Sequence, residues 1–96
     1  MATNFRILSH RKRNNLHLKL TGDFDGSSAY ELINKLEANC GSVVRIFIHT
    51  GSLKTIYPFG QKVFQNKLSV PSSEVSKLIF TGENGDKISP EKDRSL

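Results

Sequence analysis

The chain has 96 residues, 36% of them hydrophobic, and a formal net charge of +5. This length suits one small domain with a single modest core, and the hydrophobic fraction excludes a largely disordered chain. Cys40 is the only cysteine, which excludes an internal disulfide and a zinc site built from cysteines. We expect a cytoplasmic protein, because the sequence shows no apolar segment typical of a signal peptide or a membrane span.

The basic residues are unevenly distributed along the chain. Five cations precede the first acidic residue, Asp23: Arg6, Arg11, Lys12, Arg13 and Lys19. A second stretch without acidic residues, 41–70, carries Arg45, Lys54, Lys62 and Lys67. Such asymmetry is typical of proteins that bind nucleic acid, anionic lipid or an acidic protein surface. A solvated basic face explains it as well, and the sequence alone favours that simpler interpretation.

Two strands and a tight turn are predicted at the start of the chain. Residues 5–11 alternate imperfectly between apolar and polar side chains, and the Asn-Asn pair at 14–15 suits a turn because asparagine tolerates positive φ. Leu16, Leu18 and Leu20 then alternate with polar residues at period two, which indicates a half-buried strand. The pattern predicts an antiparallel hairpin.

A helix is predicted after this hairpin. Ser27 or Ser28 is a candidate N-cap, and Glu31, three residues after Ser28, completes a capping box. Apolar residues then recur at helical spacing: Ala29, Leu32, Ile33 and Leu36. Gly41 is the candidate C-terminal cap.

The remaining elements follow the same alternation of strand and helix. Residues 43–48 are nearly all β-branched or aromatic, which is typical of a central strand with helices on both faces, parallel to the strand before the helix. Residues 50–58 predict a loop, and the second helix runs from Phe59 or Gly60 to residue 68. A last strand is predicted over 77–81.

These elements define an α/β fold, on the border of α+β. We predict a single mixed sheet of about four strands with two main helices, in the order β-β-α-β-α-β. The domain comprises residues 1–82, and the polar C-terminal tail, 83–96, is expected to be mostly irregular.

The sequence contains no convincing catalytic or metal site. Its three histidines, His10, His17 and His49, are too far apart for a short ligand motif and are best interpreted as surface residues. Asp23 and Asp25 have the chemistry of a general acid–base pair, but a turn stabilised by their hydrogen bonds to the backbone explains them better. We therefore expect no enzyme, no cofactor and no bound metal.

The aromatic residues fall into two groups. Four phenylalanines occupy core positions of the predicted elements: Phe5, Phe47, Phe64 and Phe80. Phe24, Tyr57 and Phe59 instead lie in loops that follow strands, where open α/β sheets bind ligands and partners. Tyr57 and Phe59 either belong to a protein interface, which aromatic residues favour, or lie beneath the loop as a plug, and the sequence leaves both open.

A resemblance to a known family covers most of the chain. The sequence Leu-Lys-Leu-Thr-Gly-Asp-Phe-Asp at 18–25, followed by Ala29, Leu32 and Leu36, resembles the opening of a STAS domain. Sulfate transporters and bacterial anti-sigma-factor antagonists share this domain. The strand at 43–48 and the loop at 53–60 continue the resemblance, which extends from about residue 5 to residue 81. It implies the fold described above and a bacterial regulatory protein.

The chain departs from this family at its regulatory position. In antagonists of the switch type, the loop ahead of the second helix has a sequence resembling Asp-Ser-Ser-Gly or Asp-Ser-Thr-Gly. A partner serine kinase phosphorylates the second hydroxyl residue of that sequence. The corresponding residues here are Tyr57, Pro58, Phe59 and Gly60. Phe59 has no hydroxyl, so no phosphorylation is expected at this position. The C-terminal part is also short for the family. Either the domain is a minimal version, or a partner or a second copy covers its exposed edge and face.

Two hypotheses about function follow. The first is a non-catalytic regulator that binds a protein partner, such as a serine-kinase-like anti-sigma protein or another signalling protein, with a homodimer also open. The resemblance places its partner-binding residues in two loops and at a helix start: Asp23, Asp25, Ser27, Ser28, Thr50, Lys54, Thr55, Tyr57, Phe59 and Gly60. The alternative is a small basic nucleic-acid-binding protein that uses the first turn and the second helix, through Arg11, Lys12, Arg13, Lys62 and Lys67.

Overall fold

The computed structural model describes residues 4–68 and 77–88, without the side chains at positions 40, 86 and 87. Five strands and three helices lie within these residues. The strands are β1 (Arg6–Lys12), β2 (Asn15–Phe24), β3 (Arg45–His49), β4 (Leu53–Ile56) and β5 (Leu78–Thr81). The helices are α1 (Gly26–Asn39), α2 (Pro58–Lys67) and α3 (Gly85–Ile88), and a short 3-10 helix, Cys40–Ser42, follows α1.

The strands form one mixed sheet. Its order is β1-β2-β3-β5, with β1 antiparallel to β2 and the other neighbours parallel. β4 pairs with β2 further along, from Gly22 to Phe24, where β3 has already ended. The predicted α/β class with a mixed sheet and two main helices is confirmed, but the segment predicted as a loop contains an extra strand.

The first two strands form the predicted hairpin. Leu16, Leu18 and Leu20 are buried, and their polar neighbours in β2 are more exposed, as period two requires. The positive φ of the turn belongs to Arg13, at 58°, and not to either asparagine. The turn is therefore where the sequence predicts it, but a different residue adopts the left-handed conformation.

The two main helices lie on one side of the sheet. The chain passes from β2 through α1 to β3, and then through α2 to β5, so both crossovers advance across the sheet in the same direction. Two right-handed crossovers in the same direction place their helices on the same face. Among the described residues the fold is therefore a two-layer structure, and they place helices on one face of β3 and not on both as expected.

The core lies between the helices and the covered face. It contains the stripe predicted for α1 together with Ile46 and Ile48 of β3, which are fully buried. Phe47 points the other way and is only partly buried, so its predicted core position is wrong. Phe24, predicted in a loop, ends β2 and is fully buried, in edge-to-face contact with Phe5 and Phe64.

The segment after β5 is more ordered than the sequence indicates. One turn of helix, α3, lies within the tail predicted as mostly irregular, and its Ile88 is fully buried. Asn84 donates a hydrogen bond from Nδ2 to the Thr50 carbonyl, 3.0 Å away, which ties this segment to the end of β3. Residues 89–96 of the predicted tail lie outside the described part of the chain. None of the described helices is long and apolar enough to cross a membrane.

Candidate interaction surfaces

The first candidate surface lies where β2 and β4 end and α1 and α2 begin. The Tyr57 N–H donates to the Phe24 carbonyl over 2.9 Å, which holds the start of α2 against the end of β2. Pro58 is at the start of α2, where a fixed φ and the missing N–H are tolerated. The two loops that the sequence predicts as partner-binding therefore do meet in space.

Asp25 caps α1. Its Oδ1 accepts hydrogen bonds from the Ser28 N–H at 3.0 Å and from the Ser27 hydroxyl at 3.1 Å, and the Ser28 hydroxyl is also 3.0 Å away. The predicted serine cap is therefore wrong, because the residue before the helix accepts and the serines donate. Burial acts to raise the pKa of the Asp25 carboxyl, but the hydrogen bonds from Ser28 and Ser27 outweigh it and hold the pKa below its usual value.

Three residues of the predicted partner-binding set are not at the surface. Ser28 and Thr50 are 1% and 0% exposed, and Gly60 is also buried. The Thr50 hydroxyl donates to the Thr81 carbonyl at 2.6 Å, so it joins β3 to β5 internally. Ser28 and Thr50 therefore cannot contact a partner through their side chains, and Gly60 has none.

The exposed aromatic rings lie beside this junction. Phe59 is 68% exposed and Tyr57 46%, so the interpretation of the pair as a buried plug is wrong. The Phe59 ring lies over Gly26, where a Cβ atom would come within 2.8 Å of the ring. Tyr30, 48% exposed, is one turn beyond Gly26 on the same face of α1. We call Tyr30, Tyr57 and Phe59 the aromatic surface.

The remaining predicted residues lie in β4, at the end of β2 and at the start of α1. Ser27, Lys54 and Thr55 are exposed, while Asp23 and Asp25 are partly buried. Sequence reasoning missed Tyr30. Its signal is that it falls outside the apolar stripe of α1, so a large ring at that position has to face solvent.

The second candidate surface is the uncovered face of the sheet. Strand register places alternate residues of four strands on it. They are Arg6, Leu8, His10 and Lys12 of β1, Asn15, His17, Lys19 and Thr21 of β2, Arg45, Phe47 and His49 of β3, and Ile79 and Thr81 of β5. We call this the open sheet face. It brings together all three histidines, which the sequence suggests are scattered.

A group of three nearly parallel rings, those of His17, Phe47 and His49, lies at the centre of the open sheet face. His17 Nδ1 and His49 Nε2 are 3.0 Å apart, with ring planes 5° apart, so the imidazoles lie edge to edge and share a hydrogen bond. His49 Nδ1 is 2.8 Å from the Thr81 hydroxyl. The Phe47 ring stacks on His17 with centroids 4.7 Å apart and planes 9° apart. Burial, and then the neighbouring His17 and Lys19, lower the pKa of His49, which favours its neutral form.

The basic residues of the nucleic-acid alternative do not form one surface. Lys12 lies on the open sheet face, whereas Lys62 and Lys67 are in the helical layer on α2. Arg11 points elsewhere again, with its guanidinium 3.2 Å from the Ser42 hydroxyl beyond α1. Arg13 is exposed at the hairpin turn. The alternative in this form therefore lacks a continuous binding site.

Among the side chains that the structure describes, which exclude those of Cys40 and Asp86, no cluster of three or more His, Cys, Asp or Glu residues comes together to hold a metal ion. The pair formed by His17 and His49 is joined to Thr81 and Phe47, and neither of those residues is a metal ligand of the ordinary kind. These surfaces present aromatic rings, cations and hydrogen-bonding groups to solvent.

The arrangement of strands and helices is that of a STAS-like α/β domain. The structure is similar to that of the anti-sigma factor antagonist SpoIIAA in its unphosphorylated form, with a TM-score of 0.55 and 17% identity over 79% of this chain and 70% of that one. This likeness confirms the predicted fold.

Two structures of a protein named Mglu, one of them in its native form, are also similar to this chain. Both give a TM-score of 0.60 at 13% identity, and they cover 78% and 76% of this chain. The match spans only 22% and 18% of the Mglu chains, so the similarity concerns a small part of that protein. No protein-family model and no curated protein sequence matches the chain. At these identities the comparisons show the fold alone.

The capping role of Asp25 leads to a first prediction. Asp25→Ala should lower the free energy of unfolding by about 1 kcal/mol, because it removes the acceptor for the Ser28 N–H at the start of α1. Urea denaturation followed by circular dichroism measures this change. Ser27→Ala is the matched control, since it removes one exposed donor and leaves the cap in place. An equal loss in both variants would contradict the assignment of Asp25 as the cap.

Proposed function

We propose that this chain is a non-catalytic, STAS-like regulatory protein that binds a protein partner through the aromatic surface. The observation that carries the proposal is the exposure of Phe59, at 68%, beside two other half-exposed rings. Soluble domains seldom leave three large aromatic side chains exposed in one region unless another molecule covers them. Aromatic residues are also the side chains that contribute most to binding at protein interfaces.

The surroundings of these rings suit a preformed binding site. The Phe59 ring lies over Gly26, and the main chain of Tyr57, from which its ring projects, is fixed by a hydrogen bond to Phe24. Rings that are already held in place lose less side-chain freedom on binding than free ones do. Lys54 and Thr55 are exposed on β4, which leads into Tyr57, and they offer polar groups of the kind found at the rim of a protein interface.

The proposed partner is a serine-kinase-like anti-sigma protein or another signalling protein in a bacterial cytoplasm. This part of the proposal comes from the likeness to SpoIIAA, which is an anti-sigma factor antagonist. Regulation would differ from a phosphorylation switch at the start of α2, because Phe59 cannot accept a phosphate. Release of the partner would then depend on competition or on its own modification.

The proposal is tested by removing the two rings that flank Pro58. The double variant Tyr57→Ala/Phe59→Ala should weaken partner binding roughly 30-fold or more, the loss expected when a hot spot is removed. Because Phe59 is mostly exposed and Tyr57 is half-exposed, the circular dichroism spectrum should stay unchanged. Tagged wild-type and variant proteins are compared by capture from native cell lysate, followed by titration of the recovered partner.

A matched control distinguishes binding through the aromatic surface from non-specific binding through exposed apolar side chains. Leu8→Ala/Val44→Ala also removes two exposed apolar side chains, 53% and 51% exposed, in β1 and directly before β3. It should bind the partner as the wild type does. Full binding by a folded Tyr57→Ala/Phe59→Ala variant would refute the proposal.

A further inference from the structure

The open sheet face has an unusual charge distribution. Its exposed cations come from three strands: Arg6 and Lys12 of β1, Lys19 of β2 and Arg45 of β3. None of these four side chains forms an ion pair with a described carboxylate. In the described strands, the one acidic residue that alternation assigns to this side is Asp23. It lies at the far end of β2, beyond the irregularity at Gly22.

Like charges argue against a second copy as the occupant of this face. Two open sheet faces brought together would place about eight cations in one interface without carboxylates opposite them. Bringing like charges together in this way is unfavourable. The same charges attract a polyanion, because its phosphates supply the missing negative partners and its bound counterions are released. The complementary occupant is therefore an anionic chain.

The rings at the centre of the face select among polyanions. His17 and His49 lie edge to edge with planes 5° apart, and Phe47 stacks on His17 at 4.7 Å. Hydrogen bonds between His17 and His49, and between His49 and the Thr81 hydroxyl, fix the ring orientations. Flat side chains surrounded by cations on a sheet are the arrangement on which unpaired bases stack. A duplex keeps its bases stacked inside and cannot use such rings.

We propose that the open sheet face binds single-stranded nucleic acid. The phosphates contact Arg6, Lys12, Lys19 and Arg45, and bases stack against the ring group centred on Phe47. This activity is separate from the proposed protein partner, since the aromatic surface lies at the ends of the strands near α1 and α2. The cation set also differs from the one predicted from sequence, because it excludes α2 and shares with that set only Lys12.

The charge part of the proposal is tested through salt dependence. Fluorescence anisotropy of labelled 12-mer DNA and RNA oligonucleotides, at pH 7.5 and several salt concentrations, gives the slope of log K against log salt. Four phosphate contacts predict a slope of about −3 for single strands. Lys19→Gln/Arg45→Gln should reduce it to about −1.5. Lys62→Gln/Lys67→Gln, which removes the same charge from α2, should leave the slope near −3.

The stacking part is tested by replacing the central ring. Phe47→Leu keeps an apolar side chain of similar volume but removes the flat surface, so affinity should fall roughly 5- to 150-fold, as expected for loss of base stacking. Phe47 is only partly buried, and thermal unfolding of each variant verifies its fold. A duplex of the same sequence should bind at least tenfold more weakly than the single strand, and so should a strand of the same length without bases.

Several results would overturn the proposal. One is the absence of binding to either oligonucleotide at 50 mM salt. Another is equal affinity for the single strand, the duplex and heparin, which would show a general polyanion surface. A third is a Lys62→Gln/Lys67→Gln variant whose salt slope falls as much as that of Lys19→Gln/Arg45→Gln. A fourth is a dimer in wild-type protein that Phe47→Leu dissociates, because that would assign the face to a second copy.

Discussion

Replacing Phe64 by alanine should lower the free energy of unfolding by about 3–5 kcal/mol, the usual loss for a fully buried phenylalanine. Phe64 is 0% exposed and connects three elements. Its ring contacts Phe24 of β2 edge to face, with centroids 6.3 Å apart, and Phe80 of β5 in the same way at 6.0 Å. Removing it leaves a cavity between α2 and the sheet, because a helix and two strands cannot all close around a methyl group.

Two companion variants make this measurement decisive. Phe64→Leu keeps most of the volume and should lose less than about 2 kcal/mol, so it provides a folded reference if the alanine variant unfolds. Asn66→Ala changes an exposed position on the same helix and should stay within about 0.5 kcal/mol of the wild type. Urea titrations followed by circular dichroism compare the three. A loss below about 1.5 kcal/mol in Phe64→Ala would show that Phe64 does not hold α2 to the sheet.

The parts of the fold that depend on local pattern were predictable from sequence. Strand β2 follows from the alternation of three leucines, and α1 from a stripe of apolar residues at helical spacing. Both patterns are long enough to exclude the other type of element. Strand β4 has four residues of which only Leu53 is buried, so it carries no period to detect. Its pairing with β2, a tertiary contact, makes it a strand.

The open sheet face was not predictable from the residues alone. β3 contains Ile46, Phe47 and Ile48 and is preceded by Val44, and such a run is compatible with burial on one face or on both. The number of covered faces depends on the direction of the two crossovers, which is a property of the topology. Val44, 51% exposed, shows that β-branched residues here do not all enter the core.

The histidine group illustrates the same limit. His17 and His49 are 32 residues apart in the chain, and the sequence has no signal that their rings meet. Register brings them together, because His17 is level with Phe47 and His49 with Lys19, so the two imidazoles are diagonal neighbours on one face. The histidine group could have been predicted only from the parallel pairing of β2 with β3 and the register of that pairing.

Replacing Gly60 by alanine should destabilise the domain by about 1–3 kcal/mol, although alanine is the better helix former by about 1 kcal/mol. Gly60 is in the first turn of α2, and a Cβ there would lie 2.7 Å from the Phe24 carbonyl oxygen and 2.9 Å from backbone atoms of Asp25. Backbone atoms cannot move aside as a flexible side chain can. Gly51→Ala is the control, since nothing lies within 4 Å of that Cβ, and its stability should be unchanged or slightly higher.

The sign of the Gly60→Ala effect decides between two explanations of this glycine. Gly60 is the one residue of the Tyr57–Gly60 segment that agrees with the family pattern, although Phe59 replaces the hydroxyl residue there. If this glycine were needed only for phosphorylation, it would have no role in a chain with Phe59 at that position. The effect of Gly60→Ala would then depend on helix propensity alone, and the free energy of unfolding measured in urea would rise. The close approach of α2 to the end of β2 requires the opposite result. Gly60 is therefore explained by the packing that also positions the aromatic surface.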